Sequence, residues 1–232
     1  VPALKRSRVR SAVVIVIALA DGAARLAAQR ADSAPLPTVQ RVLRGHTLVS
    51  DSLPAAELTV EGDLPYVGAQ VVNLSGNALA EQHLFAHSAD GHIIDRFLWL
   101  QFEHFLPTNT FTYDYRPVRT TEFGGLQFIH DATAYPDYHI TLVAPGSDGA
   151  AIAALAAGRS LTFPTRTIRV RMFHLPTADR RNELMIIYGE ALADTAGIPL
   201  TLPRIPLDSA YPAAARAILA HAHDALIIRA AR

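Results

Sequence analysis

Hydrophobic positions fall along this chain in short runs broken by turn residues, and most of the runs read as strands. His46 to Ser50 and Glu57 to Glu61 are strand candidates, separated by a turn at Asp51-Ser52-Leu53-Pro54. Gly68 to Leu74 is a third, closed by Ser75-Gly76-Asn77. Asp90-Gly91 is the strongest hairpin signal, because both residues tolerate the positive φ of a type I′ turn. A two-residue loop there would pair His87 with Ile94, Phe85 with Arg96 and Leu84 with Phe97.

The arm after that turn, Ile93 to Phe105, is the most informative stretch. Strand side chains alternate between faces. One face carries Ile93, Asp95, Phe97, Trp99, Gln101, Glu103 and Phe105; the other carries Ile94, Arg96, Leu98, Leu100, Phe102 and His104. Both faces are apolar in the middle and polar toward the ends, which predicts an interior strand covered on both sides. Glu183 to Glu190 reads the same way. The loop Pro176 to Asn182 joins it to Thr165 to His174, so these two should form an antiparallel pair. Thr110 to Tyr115 alternates cleanly, with Phe111, Tyr113 and Tyr115 on one side. Phe123 to Asp131 completes the strands, with Gly124-Gly125 marking a bulge or a close backbone approach.

Helical patterns are fewer. Ser147 can cap a helix over Asp148 to Ala157 that ends at Gly158. The last helix is expected over Ser209 to Arg229, with Pro212 in its first turn and a stripe of Ala215, Ile218, Leu219, Ala222 and Leu226. The expected fold class is α+β: a mainly antiparallel sheet of about seven to nine strands, one short internal helix, and a C-terminal helix packed on the sheet. A β-sandwich or barrel with a capping helix is the alternative.

The first residues change the picture. Lys5, Arg6, Arg8 and Arg10 precede an apolar run from Ala12 that ends in Ala18-Leu19-Ala20. This is the layout of a secretory signal, and the run is too short for a membrane span. Residues 1–20 are therefore expected to be a signal peptide, 21–40 a disordered or extended tether, and 41–232 a single globular domain. The expected location is outside the cytoplasm, periplasmic or secreted, with no membrane span after cleavage.

The 21 basic and 21 acidic residues of the whole chain balance, and loss of the leader would leave four more acids than bases. Neither state has the basic balance of a nucleic-acid binder. The lack of cysteine excludes disulfides and thiolate chemistry, and Lys5 is the sole lysine, so the expected domain has no Schiff-base or phosphate-loop lysine. No cofactor is implied. The histidines lack metal-ligand spacing: His83 and His87 would lie about 13 Å apart along a strand. His221 and His223 do not face each other on a helix, though His221 could pair with Asp224.

Candidate chemistry is sparse. Glu103 and His104 are adjacent but point to opposite faces of a strand, so they are weak catalytic candidates. Glu103 could be a general acid if buried beside Trp99, but its place near the strand end favours a solvated carboxylate. On the other face His83, His87, Arg96 and His104 surround Phe85, Leu98, Leu100 and Phe102, an apolar floor with a polar border. Tyr113 could add an aromatic wall. Arg169 and Arg171 share a face and could bind a carboxylate or phosphate, although such a row is more often a solvated strand face. The reading these residues favour is non-catalytic binding of a small apolar or amphipathic ligand, or of a partner protein, through His83, His87, Arg96, Phe102, His104 and Tyr113. A cofactor-free hydrolase or isomerase using histidine and carboxylate is the alternative; it would need one of these groups buried within reach of a partner.

Overall fold

A computed structural model describes residues 35–115, 119–142, 144–193, 197–198 and 203–230; the expected signal peptide and most of the expected tether lie outside them. The compact unit considered below begins at Pro37. Its strands form two antiparallel sheets. The smaller contains β1 (Val42–Arg44), β2 (Thr47–Ser50), β3 (Ala56–Val60) and β12 (Leu226–Ala230). The larger contains β4 (Tyr66–Leu74), β5 (Ala78–His87), β6 (Arg96–Phe105), β7 (Thr120–Phe123), β8 (Leu126–Tyr135), β9 (Thr167–His174), β10 (Asn182–Ala191) and β11 (Ile205–Pro206). Its order is β11-β8-β9-β10-β6-β5-β4, with β7 also on β8. The helical segments are α1 (His139–Leu142), α2 (Asp148–Ala157), α3 (Leu207–Ala210) and α4 (Pro212–Ala225). The fold is thus α+β on antiparallel sheet with a C-terminal helix, and the described residues form no closed barrel.

The large sheet is covered on both faces, as the composition of β6 and β10 requires. One face carries Phe85, Leu98, Leu100, Phe102, Leu184 and Ile186, packed with Leu48 and Leu58 of the small sheet and with Ile218 and Ala222 of α4. The other carries Leu84, Phe97, Trp99, Met185 and Ile187, packed with Tyr138, Ile152 and Ala156 from the α1–α2 side. Each large aliphatic side chain so buried contributes roughly 1.5–3 kcal/mol. Gly189 of β10 belongs to the second face. A Cβ there would stand 2.3 Å from the Phe97 ring, so the missing side chain makes room for that ring.

Several local expectations hold. Ser147 caps α2 by accepting the Ala150 N–H at 3.1 Å. Pro212 starts α4, and β9 and β10 pair antiparallel. Gly124-Gly125 forms the turn between β7 and β8, and it is also a close approach: a Cβ on Gly124 would lie 2.2 Å from the Ile228 carbonyl oxygen.

Three expectations are corrected. The hairpin around Asp90-Gly91 has a longer loop, so His87 faces Arg96, Phe85 faces Leu98 and Leu84 faces Trp99. The residues after the turn are claimed by another segment: His92 and Ile94 exchange backbone hydrogen bonds with Thr162. Asp90 closes a local turn instead, with Oδ1 accepting the His92 and Ile93 N–H groups. Residues 110–115 join no sheet among the described residues. Their alternation reflects a stack of rings, in which Phe105, Tyr113, Tyr115 and Phe173 follow one another at 4.3–6.1 Å between centroids. Finally, the last helix ends at Ala225, and Leu226–Ala230 forms a strand on β3. Leu226 and Ile228 face inward with a period of two, and β-branched Ile227 and Ile228 suit that geometry better than a helix.

Candidate functional site

The residues that the sequence gathers on one strand face do share that face, but they do not form one pocket. His87 and Arg96 pair across β5 and β6 at one end. There His87 Nδ1 lies 2.6 Å from Asp95, and Arg96 is paired with Asp63. His104 sits eight residues further along β6, about 26 Å away at a strand's rise. Between them His83, only 1% exposed, is fully committed: Nε2 lies 2.8 Å from Glu81 and Nδ1 3.2 Å from the Tyr66 hydroxyl. Tyr113 is on the opposite face of the sheet, donating to Glu103. Chain geometry, rather than residue choice, divides the set: β5 and β6 are both ten residues long.

The end near His104 is a cleft of about 200 Å³. Leu53, Val71, Leu79 and Phe102 supply its apolar lining, while Arg41, Glu81, His104 and Asn182 supply polar groups. Residues 37–41, entering β1, form one wall. Glu81 anchors that wall: its carboxylate accepts the backbone N–H groups of Gln40 and Arg41, both at 2.9 Å, and the Arg41 guanidinium at 3.2 Å. Arg41 also lies 4.2 Å over the Phe102 ring and donates to Ser50 and Ser52. Burial alone would raise the Glu81 carboxyl, but the hydrogen bonds from His83, Gln40 and Arg41, with the Arg41 charge, outweigh it and hold the group at about 2. His104 is exposed; partial desolvation and the Arg41 charge push its imidazole below the usual range. Arg41 and Glu81 are thus the components of this cleft that strand periodicity does not single out. The available signal is Glu81 itself, the one acid on β5, on the same face as Leu79, His83 and Phe85.

The opposite face holds a polar row crossing the sheet. Gln70 donates to Gln82 and Gln82 to Gln101, each at 2.8 Å. Gln101 then donates to Glu103 at 2.6 Å, and the Tyr113 hydroxyl to the same carboxylate at 2.7 Å. The solvated Glu103 expected from its position is therefore corrected: desolvation raises its carboxyl, opposed by these two donors. Glu183 faces Glu103 directly across β10 and β6. It is 2% exposed, and its Oε2 has no hydrogen-bond partner among the described residues. Burial, with the nearby Glu103 and Asp148 charges, pushes it up to about 8 despite a hydrogen bond from Tyr115. Glu183 carries no local signal; it stands out only once β6 and β10 are aligned and two acids fall opposite each other.

Arg169 and Arg171 lie on this second face, and neither is the solvated row that strand patterning favours. Arg171 forms a two-pronged pair with Asp131 at 3.0 and 2.6 Å. Arg169 is 8% exposed and lies beneath α1 with Tyr135 and Tyr138. A second, shallow cleft of about 400 Å³ is lined by Asp63, Arg96, Tyr188, Glu190, His221 and Asp224, among others. In it His221 pairs with Glu190 at 2.8 Å rather than with Asp224. Among the described residues no group of three or more histidine or acidic side chains is placed to hold a metal ion. Nor is any helix among them long and apolar enough to cross a membrane.

The chain is thus an α+β protein with a central antiparallel sheet covered on both faces and a small amphipathic cleft at its β4–β5–β6 side. No family model, curated protein or solved structure matches it.

Proposed function

We propose that this is an exported, non-catalytic binding domain whose cleft beneath residues 37–41 takes a small amphipathic molecule. The observation that carries the reading is the combination of an open apolar lining with polar groups fixed before any ligand arrives. Leu53 is 44% exposed, and with Val71 and Leu79 it extends the apolar surface of Phe102. Arg41 is held by Glu81, Ser50 and Ser52 against the Phe102 ring. A ligand would therefore meet apolar surface and a preorganised polar border at little ordering cost.

The acid–base alternative has one observation in its favour. Tyr66, His83 and Glu81 stand in hydrogen-bonded series, the arrangement in which a carboxylate orients a histidine toward a third group. Its outer member is a phenol, and both burial and the Glu81 charge raise the Tyr66 hydroxyl, keeping it protonated and weakly nucleophilic. The series serves better as the pin beneath the cleft wall.

Native mass spectrometry of the full chain purified from its own source, against the same sample denatured, tests the proposal. A non-covalent adduct seen only in the native spectrum is expected, and Val71→Arg should abolish it by placing a charge in the apolar lining. A bare native mass would overturn the binding reading. The denatured mass reads export separately: a chain beginning near Asp21 is expected, and an intact leader in the purified protein would overturn that part.

A further inference from the structure

The second face of the large sheet bears a small, partly open cavity of about 90 Å³ between β6, β9, β10 and the start of α2. It is lined by Trp99, Tyr138, Asp148, Arg169 and Arg171, with Gly149 and apolar side chains supplying the remainder. Two of its lining residues, on different strands, carry buried donors that have no acceptor among the described residues: Trp99, 1% exposed, at its indole Nε1–H, and Arg169 at its Nε–H. An unpaired buried donor costs on the order of 1–3 kcal/mol, so two on one cavity call for an acceptor.

The charges around the cavity point the same way. Arg171 is neutralised by Asp131. Arg169 has no carboxylate partner among the described residues; its Nη atoms donate to the hydroxyls of Tyr138 at 2.9 Å and Tyr135 at 2.7 Å. Its guanidinium carbon lies 5.1 Å from the Tyr138 ring and 4.7 Å from the Tyr135 ring, which offsets only part of the cost of burying a cation. Asp148 is the anionic side chain on the lining, and its Oδ1 accepts the Gly149 N–H. Together these leave a site for one negative charge, with a carboxylate across from it that would resist a second.

We propose that this cavity binds a small monocarboxylate, with one oxygen accepting from Trp99 Nε1–H and the other from Arg169 Nε–H. A planar carboxylate presents two oxygens, matching two donors from separate strands. The volume corresponds to about three water molecules, which fits formate or acetate and little more. A dianion such as sulfate would face Asp148 with an unmatched charge. The proposal is independent of the amphipathic cleft, which lies on the other face of the sheet.

Trp99 is the single tryptophan of the chain, so its indole N–H gives one resolved reporter at the site itself. Sodium formate and sodium acetate are titrated into the ¹⁵N-labelled full chain at fixed ionic strength, with sodium sulfate and sodium chloride as controls. The expected result is a saturable shift of the indole N–H resonance with formate or acetate and none with either control. Arg169→Lys keeps the charge but removes the Nε–H donor, and should weaken saturation by about tenfold or more. The backbone amide spectrum of that variant verifies its fold. Should it unfold, Arg169→Gln supplies a second test, with the same weakening expected. A flat indole resonance with both carboxylates would overturn the proposal, leaving water as the acceptor. An equal shift with sulfate or chloride, or saturation unchanged in a folded Arg169 variant, would overturn it as well.

Discussion

Glu81 and Glu183 stand on strands of the same sheet, 5% and 2% exposed, and titrate at opposite ends of the carboxyl range. Glu81 faces the small sheet and receives two backbone N–H groups, a guanidinium and an imidazole. Glu183 faces the helices, has a hydrogen bond from Tyr115, and looks across at another acid. Two carboxyls of similarly low exposure are thus a carboxylate held at about 2 in one place and, where desolvation goes deeper, a carboxylic acid held up to about 8 in the other. The donors aimed at each group, the depth of its desolvation and the sign of the charges beside it together decide its state. The first glutamate joins two layers; the second is a protonated member of a polar row.

Removing Glu81 should produce the largest effect. Glu81→Ala would strand the Arg41 guanidinium and His83 and release the wall formed by residues 37–41, costing about 3–5 kcal/mol. Urea denaturation at pH 7 measures this, and a loss below about 1 kcal/mol would refute the pinning role. The pH dependence follows in sign. Because the folded-state group lies near 2, below its ordinary 4.5, its contribution is present above 4.5 and is lost as pH falls through 2. Glu81→Gln should lack that acid-limb contribution.

Glu183 should behave in the reverse sense, with the next largest effect. Its folded-state group lies near 8, above the ordinary 4.5, so the stability it contributes is full below 4.5 and disappears as pH rises through 8. Glu183→Gln mimics the protonated form. The variant should match the parent near pH 5 and exceed it by about 2–4 kcal/mol near pH 9. Denaturant unfolding at both values gives the difference, and an offset that does not change with pH would break the contrast with Glu81.

These two residues also mark what a sequence of this kind can disclose. Strand alternation identified β6 and β10 as interior, because both faces of RFLWLQFEHF and NELMIIYGE are apolar at the centre. The Ser147 cap and the Pro212 start are local signals, and both appear where the residues place them. Register is not local. The Asp90-Gly91 hairpin slips because Thr162, far along the chain, takes the backbone of residues 92–94. The tyrosines of 110–115 mimic a strand because they alternate into a ring stack. The site residues were legible one by one but not as a constellation. His83, His87, Arg96 and His104 share a face yet are spread along it, whereas Glu103 and Glu183 meet only through long-range pairing. Arg169 reads as solvated in sequence because its cover, Tyr135 and Tyr138, comes from over thirty residues earlier in the chain.

The smallest expected effect tests whether the helix side of the sheet responds to charge or only to packing. Ser147 accepts the Ala150 N–H at the start of α2, next to Asp148, whose carbonyl accepts from Gln82 of the polar row. Ser147→Ala removes one capping hydrogen bond and should cost about 1 kcal/mol. The serine does not titrate, so the loss should be the same at pH 5, where Glu183 is protonated, and at pH 9, where it is ionised. Thermal or urea unfolding of the variant at both values measures this. A loss that grows at pH 9 would mean that the start of α2 senses the Glu183 charge through Asp148. The comparison would then need the helix terminus, as well as donors and desolvation, to account for why Glu183 keeps its proton while Glu81 gives its proton up.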